Sequence, residues 1–300
     1  MKILIAGATG LIGQELVKQC LDAEIGVHYL TTGKGKIQNE DNYQGFYWNP
    51  SKGEIDPKAF EEVSAVINLA GASVSKRWTE AHKIRILESR IMTANLLFST
   101  MQSLDHSITH YISSSGISIY PSSKTVLYHE DSTQIADSFL GKVVVEWEAA
   151  ADQFKALGIK VAKVRTGIVL DSNDGALPQI SKPIKLGVGA ALGSGEQWQS
   201  WIHIEDIAAI YLFLLKKELE GIFNGVAPGP VTNIKMTKIV AKHLNKPLWL
   251  PKVPKFMLKL IMGEMAAIAF ESQLVSAKKL EEAGYLFHYV NLEKAIEDLL

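Results

Sequence analysis

Three glycines spaced three apart, Gly7, Gly10 and Gly13, follow the apolar run Lys2–Ala6 and precede residues 14–21, where Leu16, Val17, Cys20 and Leu21 recur at helical spacing. A strand, a tight turn and a helix in that order leave the N–H groups of the first helical turn free to attract an anion. Gly7 suits the turn, Gly10 the close approach of a pyrophosphate, and Gly13 the packing of helix against strand. The chemistry to expect is a dinucleotide cradle.

Such a cradle needs a sheet to hold it, and strand and helix signals alternate along the chain. Residues 26–31, 65–69, 110–115 and 160–169 read as strands, with helices over 79–101 and 140–157 between them. That alternation predicts an α/β fold, a Rossmann-type doubly wound parallel sheet with a smaller C-terminal substrate lobe. The division expected is a cofactor-binding domain over 1–170 and a mainly helical lobe over 171–300, with a strand near 222–228 rejoining the first sheet. Glycine and proline thicken between Gly175 and Gly195, and Pro247, Pro251 and Pro254 break the later helical pattern.

Composition excludes several function classes. Lys plus Arg number 31 and Asp plus Glu 32, a net charge of −1 that gives no field for nucleic acid or an anionic membrane, so the expected partner is a small-molecule substrate. Cys20 is the sole cysteine; it cannot form an internal disulfide and falls on an apolar helical face. Met1 leads directly into a strand without a basic and then apolar leader, so a cytoplasmic protein is expected. The apolar stretch 256–270 is broken by Lys259 and Glu264 and is too short to span a bilayer. His106 and His110 have no glutamate between them and run into a strand, so no metal site is expected. Ser113 to Ser115 lack the G-x-S-x-G elbow of a hydrolase.

Several segments together carry a resemblance: the glycine turn 7–13, Val66-Ile-Asn-Leu-Ala-Gly71, Lys76-Arg-Trp-Thr79, Glu88-Ser-Arg90, Ser113-Ser-Ser115, Arg165-Thr-Gly-Ile-Val-Leu170, and Gly193-Ser-Gly195 followed by 200–206. The chain resembles the extended short-chain dehydrogenase/reductases, and more narrowly an atypical branch described as an epimerase family with a C-terminal domain of unknown function, here about 250–297. The resemblance implies NAD(P) binding and a sugar-nucleotide-epimerase-like architecture. By position it implies cofactor contacts at Gly7, Thr9, Gly10, Leu11, Ile12 and Gly13, and at Asn68, Leu69, Ala70 and Gly71. Arg90 fits either a cofactor contact or a solvated helical charge. Arg165 interrupts an apolar run, and a buried guanidinium calls for a phosphate or a carboxylate.

Cofactor choice turns on the end of the second strand. An NAD-binding fold of this kind places a carboxylate there, whereas residues 28–36 contain none and the first acid is Glu40. NADP is therefore expected in preference to NAD. The resemblance implies an arginine in many relatives where Thr32 stands, so beside Thr32 either Lys34 or Lys36 would have to replace its charge.

The resemblance also implies a serine at the end of the fourth strand and a Tyr-x-x-x-Lys on the next helix. Ser115 matches the serine and is the catalytic candidate, but Leu140 and Val144 stand where the other two belong. Tyr120 and Lys124 have the spacing, yet Pro121 places them in a turn. The expected function is a reductase or nucleotide-sugar-epimerase-like enzyme on a small polar substrate, with a non-catalytic NADP-binding regulator as the alternative. In the second lobe, Trp201 and His203 alternate with Ile202 and Ile204 and are expected to face a substrate cleft. A helix containing Met257, Leu260, Ile261 and Met265 would form either a small core or the opposite wall, with the glycine-rich loop 187–195 closing over it.

Overall fold

Ile3, Leu4 and Ile5 are all fully buried, the mark of a strand covered on both faces rather than one. They belong to Lys2–Ala6 (β1), followed in chain order by Gly26–Thr31 (β2), Tyr43–Asn49 (β3), Ala65–Asn68 (β4), His110–Gly116 (β5), Lys160–Thr166 (β6) and Gly221–Gly225 (β7). The seven run in the spatial order β3-β2-β1-β4-β5-β6-β7 with every neighbouring pair parallel, and two two-residue strands, Asn39–Glu40 and Glu54–Ile55, add antiparallel to β3. The winding direction thus reverses between β1 and β4, where open sheets of this type take ligands. This computed structural model describes residues 1–300, apart from the side chain of Ile261.

Helices cover both faces. Leu11–Asp22 (α1), Glu80–Ser103 (α2), Phe139–Asp152 (α3), Leu177–Lys185 (α4) and Ile204–Lys216 (α5) are followed by Asn233–His243 (α6), Lys255–Met262 (α7), Ala266–Phe270 (α8), Lys278–Glu282 (α9) and Leu292–Leu299 (α10). Alternate strand residues feed two cores. Ile3, Ile5 and Val27 share one with Leu16 of α1 and Ile207 and Tyr211 of α5. Leu4, Ala6 and Val66 share the other with Leu97 and Met101 of α2 and with Phe154, which stacks on Tyr111 at 3.6 Å. Thr79 caps α2 by accepting from the His82 N–H at 3.2 Å, and Ser138 caps α3 through the Gly141 N–H at 3.1 Å.

Two strands differ from the sequence expectation. Tyr43–Asn49 was not expected, its pattern interrupted by Gly45; a Cβ there would lie 2.5 Å from the Tyr29 ring, so this strand needs glycine for the ring to fit. The strand expected over 160–169 divides at Gly167. Its second part, Ile168–Leu170, leaves the sheet to pair with Trp201–His203.

Residues 204–225 return to the sheet layer. Helix α5 packs against α1, the Gln19 side-chain amide donates to the Glu205 carbonyl at 3.1 Å, and β7 pairs with β6. The second lobe is therefore built from segments on either side of that return rather than from one block starting at 171. Helix α7 leaves Phe256, Met257 and Leu260 exposed, so the small core expected there does not form around them. Ile261, part of the same spacing, lies outside the described side chains. Among the described residues no helix is long and apolar enough to cross a membrane.

Candidate functional site

Gly7 ends β1 with φ +88°, a left-handed turn that brings the chain under the β4 loop; a Cβ there would lie 2.9 Å from the Leu69 carbonyl carbon. The Gly10 N–H closes the turn on the Gly7 carbonyl at 3.0 Å. Gly13 lies so close to the turn that a Cβ would stand 2.2 Å from the same carbonyl oxygen. Helix α1 starts here with no side-chain cap and no acid in its first turn. Its first N–H groups and the positive end of its dipole are thus left for an anion.

Gly7, Thr9 and Gly10 border a cleft of about 810 Å³ whose other walls are Leu69–Ala70–Gly71 and the first half of α2. That volume is in the range of small-molecule and cofactor sites. Leu11, Ile12 and Gly13 do not line it: Leu11 and Ile12 pack on the core below, and Gly13 acts through backbone contact. Asn68 is fully buried behind the wall, where its amide donates to the Tyr111 hydroxyl at 3.0 Å and its carbonyl accepts from the Ala70 N–H at 3.1 Å. It shapes the loop and does not reach the cleft.

At the β2 end the cleft meets Thr31, Thr32, Gly33 and Lys36 on one side and residues 48–51 on the other. No carboxylate is present among these lining residues. The two lysines separate. Lys36 lines the cleft, while the Lys34 ammonium sits over the Tyr47 ring, 4.9 Å from its centre. Tyr29 holds the Lys36 segment in place, its hydroxyl donating to the Lys36 carbonyl at 2.7 Å and accepting from the Gln38 N–H at 2.8 Å. Of the two lysines named from the sequence, Lys36 is the one that lines the cleft, whereas Ser89 and Thr93 were missed as individual site residues; helical spacing from Arg85, itself a lining residue, would have brought Ser89 and Met92 to the same face.

Arg90 is buried immediately behind the Gly71 wall. A Cβ on Gly71 would touch its guanidinium carbon at 3.2 Å. One terminal nitrogen donates to the carbonyls of Ile86 and Ala72 at 2.8 and 3.2 Å, and the cation lies over Trp147 at 4.6 Å. Its Nε and the Trp147 Nε1 have no partner among the described residues, and no carboxylate compensates the charge. Burial lowers its pKa to about 10.

Arg165 resolves differently. Its Nε and Nη2 grip Glu148 on α3 at 2.8 and 2.9 Å, and Nη1 donates to the Tyr120 hydroxyl at 2.9 Å. The partner is the carboxylate and not a phosphate, and Arg165 is no part of the cleft wall. Burial works against its charge, but the Glu148 hydrogen bonds outweigh burial and raise its pKa. Ser115 joins the same network, its hydroxyl donating to Glu148 Oε1 at 2.6 Å. Tyr120 in turn donates to Asn224 on β7 at 2.8 Å, and burial raises its pKa.

Tyr120 and Lys124 are not a dyad. Tyr120 is fully buried in that network, and Lys124 pairs with Glu196 at the surface, 2.5 Å away. Leu140 and Val144 are buried and apolar, Val144 lying where a Cβ on Gly116 would touch it at 3.5 Å.

The expected substrate pair is overturned. Trp201 is fully buried with its indole N–H donating to the Gly229 carbonyl at 2.7 Å. His203 caps α5 through the Glu205 N–H at 3.2 Å and stacks on Tyr289 at 3.8 Å. Ile202 is equally buried, so neither side of this short strand faces a cleft; it is packed on both, like β1. Asp206, in the first turn of α5, is bound elsewhere. It accepts from Tyr285 OH and from the His288 and Tyr289 N–H groups at 2.8, 2.9 and 2.9 Å, pinning the C-terminal segment to α5.

Comparison with known proteins agrees with this geometry. The NAD dependent epimerase/dehydratase family matches residues 3–224, and a domain of unknown function matches 253–299. An epimerase family protein of Staphylococcus aureus (strain MRSA252) is 34% identical over 300 residues, covering 99% of this chain and 98% of that protein. Among solved structures, the human epimerase family protein SDR39U1 with NADPH superposes with a TM-score of 0.86 at 27% identity, over 100% of this chain and 99% of that one. Thermus thermophilus UDP-glucose 4-epimerase in complex with NAD shares the fold at 17% identity, with a TM-score of 0.77 over 99% and 97% of the two chains. A glycine turn under an uncapped helix, at the point where a parallel sheet reverses its winding, agrees with these matches: the chain belongs to the NAD-dependent epimerase/dehydratase family.

Proposed function

We propose that this protein binds NADP in the cleft between β1, β2 and α2, and that it acts as a reductase or nucleotide-sugar-epimerase-like enzyme on a small polar substrate. The observation that carries the NADP reading is the end of β2, where Thr31, Thr32 and Lys36 face the cleft without a carboxylate. The glycine turn and the α1 N-terminus would hold the pyrophosphate, Lys36 the 2′-phosphate, and the Leu69–Gly71 wall the groups between. The similar human protein, solved with NADPH, supports the same choice. Bound there, the cofactor supplies hydride transfer at its nicotinamide. Ser115 is the hydroxyl that this chain offers from the family's acid/base set.

Titration by nicotinamide fluorescence tests the reading. NADPH should bind at least about tenfold more tightly than NADH, roughly 1.4 kcal/mol, and Lys36→Glu should erase the difference while Lys34→Glu leaves most of it. Equal affinity for the two cofactors in the unaltered protein overturns the proposal.

A second reading, a non-catalytic NADP-binding regulator, is favoured by one observation. The Ser115 hydroxyl is committed to Glu148, and apolar Leu140 and Val144 occupy the remaining acid/base positions. Turnover of NADPH with any of a panel of carbonyl compounds or nucleotide sugars excludes it.

A further inference from the structure

The net charge of −1 conceals a strong segregation. From 221 to 263 the chain carries seven lysines and no Asp or Glu, and from 175 to 195 it carries two more, again with no acid. The two stretches are joined where Leu192 bridges Val253, with the Val253 N–H donating to the Ala191 carbonyl at 2.9 Å. Around that joint large apolar side chains stand in solvent: Leu186 is 79% exposed, Trp249 69%, Phe256 71% and Leu260 81%. Lys185, Lys246, Lys252, Lys255 and Lys259 are exposed among them. Among the described residues, none of these five lies within 4.0 Å of a carboxylate. On α7, Phe256 and Leu260 are one turn apart, as are Lys255 and Lys259.

We propose that this face docks on the surface of an anionic phospholipid bilayer, with α7 lying in the plane of the interface. Apolar side chains interleaved with lysines are what such a surface selects: the hydrocarbon boundary takes Phe256, Leu260 and Trp249, and lipid phosphates take the ammonium groups. A second copy of the chain fits poorly, because a two-fold contact would bring the same unpaired lysines against each other. Nucleic acid would satisfy the lysines but would leave Leu186 and Leu260 against a polar backbone. Such docking needs no spanning helix, and the whole-chain net charge of −1 does not describe the charge of this face.

Flotation of the full chain with vesicles tests it. Phosphatidylcholine vesicles containing roughly 30% phosphatidylglycerol should carry the protein up at roughly 0.05 M salt, and pure phosphatidylcholine should not. Lys255→Glu with Lys259→Glu should weaken partition by about 30-fold, from about 1 kcal/mol per lysine. Phe256→Asp with Leu260→Asp should abolish it, with the melting temperature of both variants unchanged because all four side chains are exposed. The proposal is overturned if the anionic vesicles leave the protein at the bottom of the gradient or if both vesicle types bind it equally. It also fails if the lysine variant floats as well as the parent, if RNA displaces the vesicles, or if sedimentation shows a dimer that these substitutions dissociate.

Discussion

The glycine turn and Ser115 both stand at the carboxyl ends of parallel strands, and their surroundings are finished in opposite ways. At the turn, α1 starts without a side-chain cap and the wall behind it holds an arginine whose Nε is unpartnered. Around Ser115, a serine, a glutamate, an arginine, a tyrosine and an asparagine satisfy one another through hydrogen bonds of 2.6 to 2.9 Å. Unmet donors invite a ligand, whereas a closed set of partners resists one. The first region leaves backbone donors open at the start of α1, and the second ties β5, α3, β6 and β7 together.

The largest effect should come from cutting the closed network. Arg165→Leu takes both charge-assisted bonds from buried Glu148 and leaves it only the Ser115 hydroxyl and the Lys163 ammonium at 3.9 Å, which costs about 3 kcal/mol and lowers the melting temperature by roughly 6–12 °C. NADPH affinity, measured well below the transition, should hardly change. A folded variant with lost affinity would show that the two regions are one site.

At the open region the reverse is expected. Gly13→Ala must push α1 away from a carbonyl only 2.2 Å from the new methyl, and displacement of this order weakens NADPH binding by about 100-fold. Calorimetric titration decides it; a variant binding as tightly as the parent would mean that the turn does not hold the cofactor.

Smaller changes sharpen the contrast. Ser115→Ala and Tyr120→Phe each remove hydrogen bonds and should cost about 1 kcal/mol in chemical denaturation, while Lys124→Ala, at an exposed pair, stays within about 0.5 kcal/mol. If turnover is found, a loss of 10²–10⁴-fold in Ser115→Ala would make the serine catalytic as well as structural. Least of all is the pH effect. Burial holds His28, His110 and His203 below the usual 6.5. The unfolded chain takes up protons near that value and the folded one does not until lower pH, so stability is complete above it and is lost as pH falls through the folded values. Melting temperature should therefore decline between about pH 7 and pH 5, and His203→Gln should flatten the slope; a level profile counts against it.

Local signals were legible in the sequence and distant pairings were not. The glycine turn is a strand, turn and helix within thirteen residues, so spacing alone exposed it. The Ser115–Glu148 and Glu148–Arg165 contacts span 33 and 17 residues, and Arg165 read equally well as awaiting a phosphate or a carboxylate. Trp201 and His203 misled because alternation signals a half-buried strand, whereas this one lies between two layers and buries both faces. Lys34 and Lys36 were indistinguishable until Tyr47 took one of them. Net charge, a sum, could not show the basic face because the acids lie elsewhere in the chain.

Gly167 has a consequence for how the chain is made. A Cβ there would lie 2.4 Å from the Ser200 carbonyl and 2.8 Å from a Val226 methyl, so the junction between β6 and Ile168–Leu170 closes only against segments synthesised later. Until residue 225 has emerged, β6 is a sheet edge with Val161, Ala162 and Val164 on it, and Arg165 and Glu148 are already committed to each other. A bare edge of this kind invites pairing with a neighbouring chain. The nascent protein is therefore most open to misassembly between completion of β6 and arrival of β7, and a fragment ending at 170 would keep that edge permanently.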